Sequence, residues 1–347
     1  IVSSLDDRRI RQVRPLVSPA VLGEELPIEA ADVRAVSAAR ETIRRIVRGA
    51  DPRLLVIVGP CSIHDPDAAV EYAERLRALA DEVAERLFLV MRVYFEKPRT
   101  VTGWKGLIND PHLDGSFRIN EGLRHARRLL LAVNRLGLPA ATEFLDTTLG
   151  QFYADLVSWA AIGARTTESQ IHRQLASGLS MPVGFKNRTD GDVQVAVDAI
   201  RAAAAPHLFP SLTKEGAPAI LETTGNPDGH LVLRGGSAGP NFDRASVAGA
   251  VERLRAAGLE PAIVVDASHA NSRKDPQRQP AVLRDLLARR RAGETVLRGV
   301  MLESHLLEGR QDSDGRGAAG LVRGRSITDA CLGFEATAAI LRELAAG

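Results

Sequence analysis

Short apolar runs alternate with longer helical patterns along most of this chain, and that alternation restricts its fold more than any other feature. Strands and helices in alternation indicate a parallel sheet that is covered by helices. Eight such units fit a closed α/β barrel, a (β/α)8 TIM barrel, better than an open sheet. The predicted strands are residues 54–59, 87–93, 138–144, 159–165, 181–186, 206–212, 261–268 and 297–304.

Two segments lie outside this count. Residues 219–236 predict a β-hairpin around the turn sequence Asn-Pro-Asp-Gly, inserted after the sixth strand. Residues 1–50 are rich in charge and have a helical pattern over 28–49, so they predict an N-terminal arm and helix that make regulatory or oligomer contacts. Residues 51–347 then form the barrel domain.

The charge balance restricts the partners of the chain. Its 45 lysines and arginines and 43 aspartates and glutamates leave a net charge of +2, so we expect neither nucleic acid nor a membrane surface as partner. No apolar run approaches the ~18 residues of a membrane span, and the first residues lack a signal-peptide core, so we expect a cytoplasmic protein. There the two cysteines, Cys61 and Cys331, are expected to be reactive, metal-bound or buried thiols rather than a disulfide.

Polar side chains stand at the ends of seven of the eight predicted strands. Because all strands of such a barrel end at one face, where active sites are built, residues far apart in sequence are expected to converge there. One polar residue at a strand end can mark no more than an exposed loop, but seven together favour a site. These residues are Cys61, Arg92, Glu143, Arg165, Lys186, Asp266 with His269, and Glu303.

The residues near the strand ends indicate two kinds of chemistry. The basic ones predict a small phosphorylated acid as ligand, although each alone could instead form a surface ion pair. They are Arg92, Lys97, Arg99, Arg165, Lys186 and Arg234. A thiolate, an imidazole and two carboxylates would bind several divalent metals and leave positions for substrate, although a buried thiol with satisfied polar neighbours gives the same pattern. These four residues are Cys61, His269, Glu303 and Asp329.

Eight segments, spread over nearly the whole predicted barrel, resemble one known family. They are GPCSIHDP (59–66), MRVYFEKPRT (91–100), GWKGLINDPHLDGSF (103–117), SWAAIGARTTESQIHRQLASGLSMPVGFKN (158–187), GNPDGHLVLRGG (225–236), SHANS (268–272), ESHLLEG (303–309) and SITDAC (326–331). The family is the microbial, aromatic-amino-acid-regulated type I class of 3-deoxy-D-arabino-heptulosonate 7-phosphate (DAHP) synthases. The resemblance implies a transferase that condenses phosphoenolpyruvate with D-erythrose 4-phosphate in a metal-dependent, aldol-like reaction. The products would be DAHP and phosphate, in the first step of the shikimate pathway to aromatic amino acids.

The resemblance also implies roles for individual residues. One divalent metal ion, Mn, Fe, Co or Zn, would be bound by Cys61, His269, Glu303 and Asp329. Phosphoenolpyruvate would be bound by Arg92, Lys97, Glu143, Arg165, Lys186 and Arg234. Erythrose 4-phosphate would be bound by Lys97, Pro98, Arg99, Thr100 and Asp329. Catalytic roles would belong to Lys97, Cys61 and His269, with His64 and His172 as further candidates for proton transfer.

Regulation is implied by the first residues of the chain. Segment 6–19 resembles the arm with which the family forms an effector pocket for an aromatic amino acid. The matching residues are Asp6, Asp7, Gln151, Ser180 and Ser211. Ser211 and the two aspartates favour phenylalanine over tyrosine. A homodimer or homotetramer is expected, and the arm could instead serve oligomer contacts alone.

Two other functions stay open at this level. Lys186 at a strand end could form a Schiff base in a sugar-phosphate aldolase. A non-catalytic sugar-phosphate sensor could also keep an anion pocket, although it has no need of four metal ligands. The chain departs from the family pattern at Arg188, where relatives usually have glycine, so the charge and the backbone of that loop are expected to differ.

Overall fold

Eight parallel strands close into a barrel, as predicted, in a computed structural model of the chain that describes residues 6–346. The strands are β1 (Leu54–Gly59), β2 (Leu87–Arg92), β3 (Ala140–Glu143), β4 (Trp159–Ile162), β5 (Val183–Lys186), β6 (Leu208–Leu212), β7 (Pro218–Glu222), β8 (Gly229–Leu233), β9 (Ile263–Asp266), β10 (Leu297–His305) and β11 (Leu332–Gly333). The barrel order is β1-β2-β3-β4-β5-β8-β9-β10, and pairing of β1 with β10 closes it. β11 adds only a short parallel pairing to β10.

Helices cover the outside of the barrel and connect most of its strands. In the described residues they are α1 (Pro19–Glu25), α2 (Ala30–Val47), α3 (Pro66–Val83), α4 (Ile119–Arg135), α5 (Gln170–Gly178), α6 (Gln194–Ala204), α7 (Arg244–Ala256), α8 (Gln279–Arg291) and α9 (Phe334–Ala346). α3 shows how the sequence starts a helix: the Asp65 side chain accepts the Ala68 N–H, and Pro66 occupies the first turn. Two short 3-10 helices, Leu149–Phe152 and Ala154–Leu156, join β3 to β4 instead.

The sixth barrel strand lies later in the chain than the apolar pattern predicted. β6 and β7 pair with each other in an antiparallel hairpin, whereas β8 pairs in parallel with β5 and β9. The prediction of a barrel strand at 206–212 and of a hairpin over 219–236 was therefore wrong, and the hairpin precedes the sixth barrel strand. In β6 exposed Leu208 stands beside buried Phe209, which is typical of a half-covered strand, whereas β8 is buried along nearly its whole length, as a parallel strand under helices must be.

α2 packs against the end of the barrel at which the strands begin, opposite to their carboxyl ends. Ile43 and Ile46 belong to one buried cluster with Leu55 and other residues of the barrel interior. The guanidinium of Arg44 donates to Asp228, the residue before β8, at 2.7 Å. α2 therefore closes the N-terminal end of the barrel and leaves the other end open for a site. Over residues 6–346 no helix has the length and apolar character that crossing a membrane requires.

Candidate active site

Side chains from separate parts of the chain meet at the carboxyl end of the barrel. Cys61 follows β1, Glu303 belongs to β10, and Asp329 lies in the loop before β11. One ligand atom of each lies within 4.8 Å of the others, and Cys61 Sγ is 3.9 Å from Asp329 Oδ2. His269 follows β9 and places Nε2 3.9 Å from Glu303 Oε1. The predicted ligands are thus brought together, and sulfur, nitrogen and oxygen donors at these separations fit a divalent cation.

The position of Cys61 is set by the turn before it. Gly59 has φ +151°, and a Cβ there would lie 3.0 Å from the carbonyl oxygen of Arg92, so the turn requires glycine. Cys61 is fully buried, and burial together with the Glu303 carboxylate raises the pKa of its thiol to about 11. The thiol is therefore protonated at neutral pH, and a bound cation is needed to form the thiolate.

Lys97 stands between this thiol and the open part of the site. Its Nζ donates to Cys61 Sγ at 3.1 Å and to the Cys61 carbonyl oxygen at 3.4 Å. Burial disfavours the ammonium, but the acidic groups of Cys61, Glu303 and Asp329 outweigh burial and raise the pKa of Lys97. Lys97 therefore carries a proton at neutral pH.

His269 is oriented by Asp266. Its φ is +56°, a left-handed conformation that is uncommon for a residue with a side chain and clusters at functional sites. His269 Nδ1 lies 3.0 Å from Asp266 Oδ2 and 3.0 Å from Ser268 Oγ, which leaves Nε2 for a cation. The same carboxylate accepts Lys186 Nζ at 2.9 Å. Burial acts to raise the pKa of Asp266, but Lys186 and His269 outweigh it and hold that pKa well below the usual range.

A cavity of about 230 Å³ opens beside the four predicted ligands, and two of them, His269 and Asp329, lie on its wall. The predicted residues on its wall are Lys97, Pro98, Arg99, Glu143, Arg165, Lys186, Arg234, His269 and Asp329. Four polar residues of the wall were not predicted from the sequence, and they are Thr189, Lys274, Arg310 and Thr328. The wall therefore has seven lysines and arginines against two carboxylates, and this excess suits a ligand with several negative charges.

Two predicted substrate residues lie off this wall. Arg92 is fully buried beneath the ligands, where its Nη2 donates to Glu303 Oε1 at 3.0 Å and its guanidinium lies 4.0 Å from the ring centroid of Tyr94. Thr100 is exposed to solvent. In the described residues Arg92 therefore fixes Glu303 and does not line the cavity.

The polar wall residues that were not predicted lie in loops. The residue types of a loop do not reveal the path of its backbone. Lys274 comes five positions after His269 and has φ +61°, so it reaches the wall through an unusual backbone turn. Arg310 lies in the glycine-rich loop after β10. The corrected sixth strand also places Arg234 directly after β8, so all eight barrel strands end at or near an ionisable side chain.

A second cavity, of about 470 Å³, lies between the β6–β7 hairpin and the 3-10 helices after β3. Its wall includes three of the predicted effector residues, Gln151, Ser180 and Ser211. Asp6 and Asp7 are exposed and do not line this cavity. One chain therefore brings together the barrel residues of the predicted effector pocket but not those of the arm.

The remaining candidates contact other parts of the molecule. His172 Nε2 is bonded to a backbone carbonyl oxygen at 2.7 Å, and its Nδ1 to the helix-capping Ser169, which is a structural role. His64 lines a different cavity. Arg188 is not among the described residues with positive φ, and it forms ion pairs with Asp190 and Glu168.

Comparison with known proteins gives one family. The profile of the DAHP synthetase I family matches residues 26–342. The Phe-sensitive phospho-2-dehydro-3-deoxyheptonate aldolase of Escherichia coli (strain K12) is 56% identical over 340 residues, 98% of this chain and 96% of that protein. The Tyr-sensitive aldolase of the same strain is 52% identical over 341 residues, 98% and 95% of the two chains. The structure of phospho-2-dehydro-3-deoxyheptonate aldolase from Francisella tularensis SCHU S4 matches with a TM-score of 0.94 and 47% identity, over 97% of this chain and 98% of that one. The chain therefore belongs to the DAHP synthetase I family.

Proposed function

We propose that this site condenses phosphoenolpyruvate with D-erythrose 4-phosphate to give DAHP and phosphate, as a cytoplasmic enzyme in the first step of the shikimate pathway. The observation that carries the proposal is a small cavity with seven lysines and arginines that adjoins a cluster of metal-type ligands. Both substrates are phosphorylated and one also has a carboxylate, so both require cations in the site. Membership of the DAHP synthetase I family supports the same reaction.

Phosphoenolpyruvate is assigned to the cations at the ends of β4, β5 and β8. Arg165, Lys186 and Arg234 bind its phosphate and carboxylate and stabilise the charge that moves onto the departing phosphate. Arg165 Nη1 also donates to the Pro98 carbonyl oxygen at 2.6 Å, which fixes the neighbouring part of the cavity. Lys97, Pro98 and Arg99, together with Asp329, bind erythrose 4-phosphate there.

The reaction forms one carbon–carbon bond and one carbon–oxygen bond, and it breaks one carbon–oxygen bond and the two O–H bonds of a water molecule. The water oxygen becomes the C2 carbonyl oxygen of DAHP, and its two protons balance the proton that the aldehyde oxygen gains and the proton that leaves with the phosphate. C3 of phosphoenolpyruvate attacks the aldehyde carbon of erythrose 4-phosphate, a water oxygen adds to C2, and the bond between C2 and the phosphate oxygen breaks. The aldehyde oxygen gains a proton in the product. Lys97 is protonated and lies on the cavity wall, so we assign this proton to Lys97 Nζ.

One divalent metal ion fits among Cys61, His269, Glu303 and Asp329, because their donor atoms converge and include a thiol that is neutral without a cation. When bound, such an ion supplies Lewis-acid polarisation of a carbonyl oxygen. Mn, Fe, Co and Zn are all compatible with this mixture of donors. Asp266 and Arg92 keep two of the four ligands, His269 and Glu303, in place.

The Schiff-base alternative is not favoured around Lys186. Lys186 Nζ is 2.9 Å from the buried carboxylate of Asp266, and this contact engages the nitrogen that would have to attack a carbonyl carbon to form a Schiff base.

The function is tested by the loss of phosphoenolpyruvate when erythrose 4-phosphate is added. Chelation should abolish the activity, and readdition of a divalent ion should restore it. Cys61→Ser should lose both bound metal and activity, whereas Cys331→Ser, a change at the other buried cysteine, should retain its metal. Full activity of metal-free Cys61→Ser would refute the assignment.

We also propose phenylalanine as a feedback inhibitor that binds in the second cavity. Gln151, Ser180 and Ser211 line that cavity, and the more similar of the two E. coli relatives is Phe-sensitive. Asp6 and Asp7 would complete the pocket from a second copy in a homodimer or homotetramer. Initial rates in the presence of phenylalanine, tyrosine or tryptophan test the assignment, and stronger inhibition by either of the other two would contradict it.

A further inference from the structure

A large cavity lies outside both the substrate site and the effector pocket. It lies between α3 and α4 under the loop 318–323 and has a volume of about 580 Å³, compared with about 230 Å³ for the substrate cavity. Val70, Leu129, Ala132 and Leu321 form apolar parts of its wall. Its size and its mainly apolar wall are those of small-molecule sites in proteins.

Three segments reach from the active site to the wall of this cavity. They are residues 61–66, 97–111 and 310–329. Each has a proposed ligand or substrate residue, namely Cys61, Lys97 or Asp329, and each also contributes residues to the wall of the large cavity. A molecule bound there would contact all three segments, so it can favour one arrangement of the active site over another.

Two polar groups on the wall lack partners. Arg128, on α4, is exposed and has neither an ion pair nor a hydrogen bond in the described part of the chain. His64 is only 7% exposed, and its Nδ1 has no hydrogen-bond partner. The Nδ1 atom of His64 is closed to solvent, so a ligand in the cavity does not reach it. The polar group of the wall that is open to a ligand is therefore the guanidinium of Arg128.

The acidic groups on the opposite wall are already engaged. Asp65 caps α3, and Asp67 lies in its first turn, where the helix dipole favours negative charge. Arg323, in the loop 318–323, forms an ion pair with Glu71 of α3 and lies near Asp65 and Asp67. The charge without a partner is therefore the guanidinium of Arg128, which selects an anionic group.

We propose that this cavity is a second ligand site, for a small molecule with an apolar ring and one carboxylate, and that its occupancy changes catalysis at the substrate site. The ring packs against Val70, Leu129 and Ala132, and the carboxylate pairs with Arg128. The proposal that a ligand binds depends on the cavity alone, whereas the proposed effect on catalysis rests on the proposed function.

The test uses 3-phenylpropionate as the probe, with calorimetry for binding and initial rates for catalysis. Arg128→Gln should weaken binding roughly ten- to a hundredfold, since a charge-assisted hydrogen bond is lost. Ala132→Phe should fill the cavity and abolish binding, and thermal melting verifies that this variant is folded. Arg201→Gln, at an exposed arginine of α6, is the matched control and should bind the probe as the unchanged chain does. The probe should change the KM of a substrate by at least about twofold in the unchanged chain but not in Ala132→Phe.

Five results would overturn the proposal or one of its parts. The first is no binding at millimolar probe, and the second is equal binding by the unchanged chain, Arg128→Gln and Ala132→Phe. The third is loss of binding in Ser211→Phe but not in Ala132→Phe, which would place the probe in the effector pocket. Equal affinity for 3-phenylpropylamine would refute the claim that the site selects a carboxylate. Binding that Ala132→Phe abolishes, without any change in the kinetic constants, would refute the effect on catalysis while leaving the proposed reaction intact.

Discussion

Among single residues, Asp266 connects the two proposed halves of the active site. Its carboxylate contacts His269 Nδ1 at 3.0 Å and Lys186 Nζ at 2.9 Å. In Asp266→Asn an amide replaces the charge, so the imidazole loses its orienting partner and the lysine its counter-ion. We expect metal affinity to fall about 10- to 100-fold, as for other partners of metal-binding histidines, and kcat/KM to fall with it. Metal titration and steady-state kinetics measure both.

Asp275→Asn is the control for this change, because Asp275 caps a short 3-10 helix near the same loop and pairs with Arg278, away from His269 Nδ1 and Lys186 Nζ. It should leave metal affinity within about twofold. Normal metal affinity and kcat/KM in Asp266→Asn would show that the carboxylate is dispensable.

Glu96 gives a prediction about pH. It is 4% exposed, its carboxylate accepts only long hydrogen bonds from Asp146 N–H and Tyr153 O–H, and burial with the nearby Asp146 raises its pKa to about 7. A carboxyl whose pKa is raised on folding binds more protons in the native state, so its contribution to stability declines as the pH rises from the unfolded value of 4.5 to about 7. Relative to Glu96→Gln, the unchanged chain should therefore lose about 2–3 kcal/mol of unfolding free energy between pH 5 and pH 8.

Urea unfolding of both chains at the two pH values measures this difference. A free-energy difference that stays constant with pH would mean that Glu96 is ionised throughout, with a partner not seen in the structure.

The residues of the site differ in how far the sequence predicts them. Cys61 and Glu303 stand at the ends of apolar strands, and the barrel brings such ends together. Their residue types and their positions in the sequence are therefore enough to predict that they meet in one site. Lys274 and Arg310 depend on loop paths, which are set by backbone turns and long-range contacts rather than by local residue type. The position of Arg92 beneath Glu303 depends on the packing of the barrel interior, which strand patterns do not contain.

At the scale of elements, the close approach of β4, β5 and β8 depends on a glycine. A Cβ at Gly184 would lie 2.4 Å from Trp159 Cζ2 and 2.7 Å from Val232 Cγ2. Gly184→Ala should therefore overpack the barrel interior and lower the unfolding free energy by about 1–3 kcal/mol. Gly249→Ala is the matched control, because Gly249 lies in α7 with nothing within 4 Å of its added Cβ, and alanine there should stabilise by about 0.5–1 kcal/mol.

Denaturant midpoints of the two variants test this contrast. Equal stability of Gly184→Ala and the unchanged chain would show that the strands can separate at little cost.

The error in the sixth strand has a physical origin at the same scale. A strand of a hairpin and a strand of the barrel can both present four or five apolar residues, and periodicity distinguishes them only when alternation is clear. In β6 Leu208 and Pro210 are exposed and Phe209 between them is buried, but all three residues are apolar, so the sequence does not show the alternation. The pairing of β8 with β5 and β9 is a long-range choice that local sequence does not encode.

At the scale of the whole molecule, the N-terminal arm contributes little to the barrel of its own chain. Residues 6–16 are all exposed, and Val13 retains 84% of its accessible surface. Close tethering to the barrel begins near Val17, whose N–H donates to Asn120 Oδ1. An exposed arm that combines the apolar side chains of Ile10, Val13 and Leu16 with Asp6 and Asp7 is consistent with contacts to a second copy.

Deletion of residues 1–14 should therefore leave the barrel folded but separate regulation from catalysis. The chain should keep its melting temperature within a few degrees, because residues 6–14 are exposed. It should also keep kcat, since Lys97, Cys61 and His269 all lie in the barrel, but lose inhibition by phenylalanine and show a smaller mass by light scattering. Asp6→Asn with Asp7→Asn, in the full-length chain, separates the two effects: it should weaken inhibition while leaving the mass unchanged. A truncated chain that keeps both its mass and its inhibition would show that the effector pocket is complete without the arm.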